Sequence, residues 1–267
     1  MKNSNKLLLF AGILLLINVL VYTTRVGGDQ VVLFTSDALP IICSLVASLC
    51  LLSLLRHFKQ VDYTYRFWLL LFIGIFLYFI AETIYGVFEI FLKIDMAVNY
   101  PSIADYFWCI AYIPMFIGLV MMISGYRRSG FPMGSKKVCF FLITLIIVIS
   151  SVVSIFILTP IINDAETPAF TKFFYMFYPI GDVLVVTPVI LLAYITSLFG
   201  KGIVSRPWKY IAIGFICFSI ADLLFAYLSW SDSYGNGNLI DLAWNFGYLS
   251  IGAAGLMQKE LMNSINN

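Results

Sequence analysis

Eight apolar runs, each close to the length that crosses a bilayer, constrain this chain more than any other feature. They are Leu7 to Thr23, Ala38 to Leu55, Phe67 to Phe91, Ile103 to Gly125, Val138 to Leu158, Ile180 to Leu198, Trp208 to Trp230 and Leu239 to Met257. A helix needs about 20 apolar residues to cross roughly 30 Å of hydrocarbon. The segments between the runs are short, and none could hold a soluble domain. Composition agrees: 61% of the 267 residues are hydrophobic, 11% are charged and the mean hydropathy is +0.96. Soluble domains run at roughly 45 to 50% apolar and about 25% charged. The expected fold is all-α, a polytopic membrane helical bundle of eight transmembrane helices. Residues 1–267 form a single integral membrane domain whose first partner is the lipid bilayer.

Basic residues near helix ends favour the cytoplasmic side. Lys2, Lys6, Arg56, Lys59, Arg66, Arg127, Arg128, Lys136, Lys137, Lys201, Arg206, Lys209 and Lys259 fall on one side, against Arg25, Lys93 and Lys172 on the other. This partition predicts a cell-membrane protein with both termini cytoplasmic. The first run could pass for a signal peptide, but VYTTRVGG offers no Ala-x-Ala-like cleavage site, so it reads as a retained helix. Aromatic residues such as Tyr63, Trp68, Trp208 and Trp230 gather at predicted helix ends, where amphipathic rings settle at headgroup level. Phe170 to Tyr178 (FTKFFYMFY) reads as an interfacial segment leading into a sixth helix at Pro179. A single long helix kinked at Pro179 is the alternative.

Two stretches repeat a chemical pattern. YPSIADYFWCIAYIPMFIG (Tyr100 to Gly118) and LIDLAWNFGYLSIGAAG (Leu239 to Gly255) share Asp-x-x-Trp-x-x-x-Tyr, as Asp105/Trp108/Tyr112 and Asp241/Trp244/Tyr248. On a helix, positions i, i+3 and i+7 share a face, so each copy presents an acid, an indole and a phenol along one stripe. The helices ahead of these stretches also match. Ile80 to Tyr85 (IAETIY) and Ile220 to Phe225 (IADLLF) both read Ile-Ala-acid-x-x-aromatic. A parallel internal repeat of helices three and four with helices seven and eight follows from this.

The even-numbered helices carry Asp37, Asp105, Asp182 and Asp241 at or near their predicted starts. The plain account of these is capping, since acids in a first turn satisfy free N–H groups and oppose the helix dipole. Ser102 to Asp105 has the spacing of a capping box. Glu82 and Asp222 resist that account. Each lies about fifteen residues into its helix, which at roughly 1.5 Å per residue is more than 20 Å along the axis. An ionisable group at such depth costs about 2.5 to 3.5 kcal/mol even on a lenient scale, so it must be partnered, neutral or facing water. No Lys or Arg lies in mid-membrane, and His57, the only histidine, falls on a loop. The donors left are phenols, indoles and amides, among them Tyr85, Tyr112, Tyr248, Trp108, Trp244 and Asn245. A structural polar network is one reading. The other is a pocket open to the outer side in which acids and aromatic faces hold a small cationic or polar ligand. Its residues would be Glu82, Tyr85, Asp105, Trp108, Tyr112, Asp182, Asp222, Asp241, Trp244 and Tyr248. The repeat then puts Glu82 beside Asp105 and Asp222 beside Asp241, with Asp182 joining them from just inside helix six.

Other chemistries are poorly served. A lone loop histidine rules out a bis-histidine haem, a histidine zinc site or a serine-histidine pair inside the bundle. The cysteines Cys43, Cys50, Cys109, Cys139 and Cys217 stand singly, without metal-binding spacing. No phosphate-cradling glycine loop and no nucleic-acid signature is present. The acids in Ile-Gly-Asp182 and Ile-Ala-Asp222 do not match the Tyr-Asp and Gly-x-Gly-Asp of presenilin-type proteases. No enzyme, cofactor or metal is expected.

The segments PSIADYFWCIAYIP, YPIGDVLVVTPVILL and LIDLAWNFGYLSIGAAG together resemble the multi-pass membrane regions that precede diguanylate cyclase (GGDEF) or histidine kinase domains in bacterial and archaeal signalling proteins. The resemblance runs from about Ile80 onward. It places Pro101, Ser102, Asp105, Tyr178, Pro179, Gly181, Asp182, Asp222, Asp241 and Trp244 at motif positions. The chain departs from the pattern where Ile113 separates Tyr112 from Pro114, and where it ends at Asn267 without an output domain. The resemblance implies a sensory module signalling through a cytoplasmic or membrane partner. The competing expectation is a secondary transporter or ion-coupled permease that uses the buried carboxylates, with Pro114 and Pro188 breaking helices along its path.

Overall fold

A computed structural model describes residues 2–58, 60–96, 98–198 and 203–266. Eight long helices are present among the described residues, and no strand. They are α1 (Asn3–Thr24), α2 (Asp29–Leu55), α3 (Tyr63–Phe91), α4 (Ile103–Arg128), α5 (Lys136–Asn163), α6 (Ala169–Ser197), α7 (Arg206–Trp230) and α8 (Asp241–Asn266). The last turn of α3 and one turn of α5, Ser154–Leu158, are wound as π-helix. The helices α1 to α7 are long and apolar enough to cross a membrane, which makes this an all-helical membrane protein. Helix α8 is long enough at 26 residues but more polar, because Gln258, Lys259 and Glu260 sit in its last third.

Short connections turn the chain back between successive helices, and bonds between helix ends show α1 running opposite to α2 and α8. At one end, Ser4 donates from its N–H and Oγ to Glu260 (2.9 and 2.7 Å), and Lys259 Nζ donates to Ser53 Oγ (2.7 Å). At the other, Tyr22 donates to Asp241 (3.0 Å) and the Gly237 N–H to Ser36 Oγ (2.8 Å). The first end collects Lys2, Lys6, Arg56, Arg66, Arg127, Arg128, Lys136, Lys137, Arg206, Lys209 and Lys259. Lys59 and Lys201, also assigned to that side from sequence, lie outside the described residues. The second end carries most of the carboxylates.

Helix α8 is packed by α1, α2 and α7, while α4 is packed by α3 and α6. Small residues let these axes approach, as in lipid, where van der Waals contact and not hydrophobic expulsion drives helix association. A Cβ added to Gly214 would lie 2.9 Å from the Gly247 carbonyl oxygen, so α7 and α8 cross backbone to backbone. A Cβ on Gly74 would lie 3.1 Å from the Ala111 carbonyl oxygen, and one on Gly252 would lie 3.0 Å from Ala47 Cα. Helix α5 stands apart, with no buried residue between Lys136 and Val153.

Two element starts differ from expectation. Helix six does not begin at Pro179. Helix α6 runs from Ala169 through Pro179 and Pro188, and the aromatic segment is its first two turns. Proline removes a donor to the carbonyl four residues back, yet transmembrane helices tolerate this where neighbours re-satisfy the backbone. Here tertiary contacts hold the segment in place: Phe174, Tyr175 and Tyr178 are buried, and Tyr175 stacks on Tyr100 with centroids 4.7 Å apart. Asp182 therefore sits well inside α6 and is no cap. Helix α2 likewise starts early, at Asp29, straight after a turn whose glycines Gly27 and Gly28 take φ of +87° and +79°. Asp37 is thus two turns inside α2, and first-turn capping does not account for it.

The loop between α5 and α6 is clipped to the end of α7. Asp164 accepts from Trp230 Nε1 (2.8 Å), Thr167 Oγ1 (2.5 Å) and the Glu166 N–H (3.0 Å). These bonds favour the charged form and hold the Asp164 carboxyl down at about 2. A depressed folded value adds stability that is present above the unfolded value near 4 and is lost as pH falls through about 2. Asp164→Asn should therefore lower thermal stability at neutral pH and flatten its further loss between about pH 4 and pH 2, both measured in the same detergent.

Candidate functional site

A cavity of about 100 Å³ opens between α2, α3, α4, α6, α7 and α8 at the carboxylate-rich end. Glu82, Asp105, Asp222 and Asp241 line it, and so does Asp37. Its walls include Tyr85, Trp108, Trp244 and Tyr248, together with Tyr78, Tyr178, Phe218 and Phe225. The α3–α4 loop contributes Met96 and Tyr100, and the α7–α8 loop contributes Tyr234 and Asn236. No Lys, Arg or His occurs among the described lining residues.

Each carboxylate is placed by its helix and met by an aromatic or hydroxyl donor from another segment, with one exception. Glu82 of α3 accepts from Tyr248 of α8 (2.5 Å). Asp222 of α7 accepts from Trp244 Nε1 of α8 (2.7 Å) and from Tyr112 of α4 (3.2 Å). Asp105 closes a capping box at the start of α4, taking the Ser102 N–H (2.6 Å) and Oγ (2.9 Å) on one oxygen. Its other oxygen accepts from Tyr178 of α6 (2.7 Å). Asp241, the first residue of α8, accepts from Tyr22 of α1 and Tyr234 (both 3.0 Å). Burial and the facing Asp241 push the Tyr234 phenol well above its ordinary value, so it remains a donor. Asp37 accepts no hydrogen bond among the described residues, and one of its oxygens is sealed from solvent.

Two of the ten sequence-predicted residues stand outside the cavity. Asp182 is buried behind its wall and accepts from Tyr112 (2.8 Å), while Tyr112 itself borders a separate apolar groove between α4 and α6. A phenol has one proton to give. Tyr112 lies within bonding distance of both Asp182 and Asp222, so it can serve both only if one acid carries a proton of its own. The expected pairing also changes. Glu82 is bonded to α8 and not to Asp105, and Asp222 is bonded to Trp244 and Tyr112 and not to Asp241. The physical reason is that a like-charged neighbour cannot satisfy a buried acid, whereas a phenol or indole can. Tyr78, Tyr178, Phe218, Phe225 and Tyr234 were not legible as site residues. Asp37 reads as a cap from sequence, because the apolar run puts the start of α2 at Ala38, nine residues after Asp29.

No group of three or more His, Cys, Asp and Glu among the described residues is arranged to hold a metal ion. The arrangement is suited to binding, with polar acceptors fixed in orientation by rigid aromatic donors. The fold and site define a helical membrane protein with an acid- and aromatic-lined cavity. Comparison with protein-family models, curated proteins and solved structures gives no match.

Truncating the donors tests this network. Tyr248→Phe strips Glu82 of the hydrogen bond it accepts from α8 and should cost about 1 to 3 kcal/mol. Tyr112→Phe removes the phenol donated to Asp182, while Asp222 keeps Trp244, and should cost a similar amount. Reversible unfolding of the purified protein in mixed micelles measures both against Tyr85→Phe, whose hydroxyl donates to none of these acids.

Proposed function

We propose that this chain is a non-catalytic sensory or ligand-binding membrane module, whose cavity takes a small cationic or polar ligand and passes its occupancy to a signalling partner. The observation that carries this reading is the set of five carboxylates facing one aromatic-walled cavity with no basic side chain to neutralise them. The resemblance of the Asp105, Asp182 and Asp241 segments to signalling membrane regions supports it. In this reading α8 is an eighth span, both termini are cytoplasmic, and the cavity faces the outer side, in line with the bias of basic residues toward the opposite end.

A parallel repeat of α1–α4 with α5–α8 underlies the architecture. Trp68 and Trp208 stand 140 positions apart, as do Gly74 and Gly214, Tyr78 and Phe218, and Glu82 and Asp222. Two of these pairs touch each other, Tyr78 with Phe218 (centroids 5.7 Å) and Trp68 with Trp208 (6.2 Å), as residues beside a two-fold axis would. The phenols cross over in the same sense: Tyr112 reaches Asp222, and its counterpart Tyr248 reaches Glu82. Helix α2 packs on α3 and α8, and α6 packs on the corresponding α7 and α4.

The test is thermal shift in lipid nanodiscs against sodium, ammonium, betaine, amines and amino acids, on wild type and Asp222→Asn. At least one solute should stabilise the wild type and stabilise the variant less. If no solute shifts either protein and Asp222→Asn is as stable as wild type or more so, the acids form a structural network only. Ion-coupled uptake in proteoliposomes would make the protein a transporter instead. Reporter fusions at the C-terminus should report the cytoplasm.

A further inference from the structure

We infer that the ligand of this cavity is a primary or secondary organic ammonium whose N–H groups are received by Asp37. The inference rests on the ligand-binding reading above and names the class of ligand and its anchor. Among the five lining carboxylates, Glu82, Asp105, Asp222 and Asp241 each accept from a phenol, an indole or a serine. Asp37 accepts from nothing among the described residues, is 5% exposed, and has an oxygen buried without a partner there. A buried carboxylate in a bilayer-spanning bundle needs a donor, and no side chain of the described lining donates to Asp37. The neighbouring Ser36 hydroxyl accepts from the Gly237 N–H (2.8 Å) and makes no bond to Asp37.

The two halves of the bundle sharpen the point. Asp37 on α2 and Asp182 on α6 occupy corresponding helices. In one half the phenol of Tyr112 reaches both Asp182 and Asp222. In the other, its counterpart Tyr248 reaches Glu82 but leaves Asp37 unmet. Asp37, where the bond is missing, lines the cavity, and Asp182, where it is made, does not. A ligand N–H group fills the place that the Tyr112 hydroxyl fills for Asp182.

The surroundings select the ligand's chemistry. A bare metal ion is disfavoured, since no three acidic or thiol groups among the described residues converge on one point. A quaternary ammonium has no N–H to give Asp37. An anionic ligand would meet carboxylates on every side. An ammonium carrying a short apolar arm suits both parts of the site. Its charge is held by Asp37, and Trp244, Tyr78, Phe218 and Phe225 offer ring faces for the cation and its arm.

The experiment uses the full chain in nanodiscs, with binding followed by intrinsic tryptophan fluorescence and by thermal shift. The probes are propylamine, tetramethylammonium, 1-propanol and sodium chloride. Propylamine should bind and stabilise, and the other three should not at equal concentration. Asp37→Asn should weaken propylamine about 10- to 100-fold, the effect of losing a hydrogen bond to a charged group. Asp164→Asn, in the α5–α6 loop and outside the cavity, should leave it within about twofold at neutral pH. Comparing the four probes on wild type needs no variant, so it stands even if Asp37→Asn does not fold. Equal binding of tetramethylammonium, or unchanged affinity in Asp37→Asn, overturns the inference. Absence of any amine effect also overturns it, leaving Asp37 neutralised by a proton only. Should another solute then bind in an Asp222-dependent way, the ligand-binding reading survives without this one.

Discussion

Everything at the carboxylate-rich end of this bundle depends on one constraint, the cost of keeping acids in an apolar interior that contains no base. Lysine or arginine would satisfy them in a soluble core, and neither lines the cavity among the described residues. The solution is neutral donation, in which phenols from α1, α4, α6, α8 and the α7–α8 loop and one indole from α8 aim at carboxylates on other elements. Each such bond joins two segments, so the network that satisfies the acids also fixes how the helices meet. A phenol carries one proton, which makes the network rigid in direction and short of donors where two acids share one.

The close approach of helices makes those bonds reachable. Gly214 against Gly247 and Gly74 against Ala111 bring α7 onto α8 and α3 onto α4 with almost nothing between their backbones. Larger residues at these crossings would move Trp244 away from Asp222 and force the network to open. Above the crossings the side chains grow, and the aromatic rings leave space of about 100 Å³ that they do not fill. Small residues below and large rings above thus produce a cavity at one level only.

Near-symmetry followed by a departure from it gives the site its character. The Tyr78–Phe218 contact and the crossed Tyr112 and Tyr248 bonds treat the two halves alike. Asp37 and Asp182 are treated differently, one open to the cavity and unmet, the other sealed and bonded to Tyr112. The proposed repeat would provide the geometry twice, and on that reading the missing donor at Asp37 is what sets the two places apart.

The sequence by itself determined the helical membrane architecture, because apolar runs of bilayer length have few ways to satisfy their backbone. It also determined that Glu82 and Asp222 need an explanation, since their depth along a helix follows from counting residues at 1.5 Å each. The Asp-x-x-Trp-x-x-x-Tyr stripe placed Trp108, Trp244 and Tyr248 on the cavity wall. What the tertiary structure decided was which acid meets which donor. Tyr22 with Asp241 and Tyr178 with Asp105 are 219 and 73 residues apart, and no local spacing encodes such pairs. The starts of α2 and α6 were likewise set by packing. Gly27 and Gly28 let α2 begin early, and burial of Tyr175 and Tyr178 carried α6 through Pro179. Those two helix starts moved Asp37 and Asp182 from caps to interior residues, and only their surroundings told the unmet acid from the bonded one.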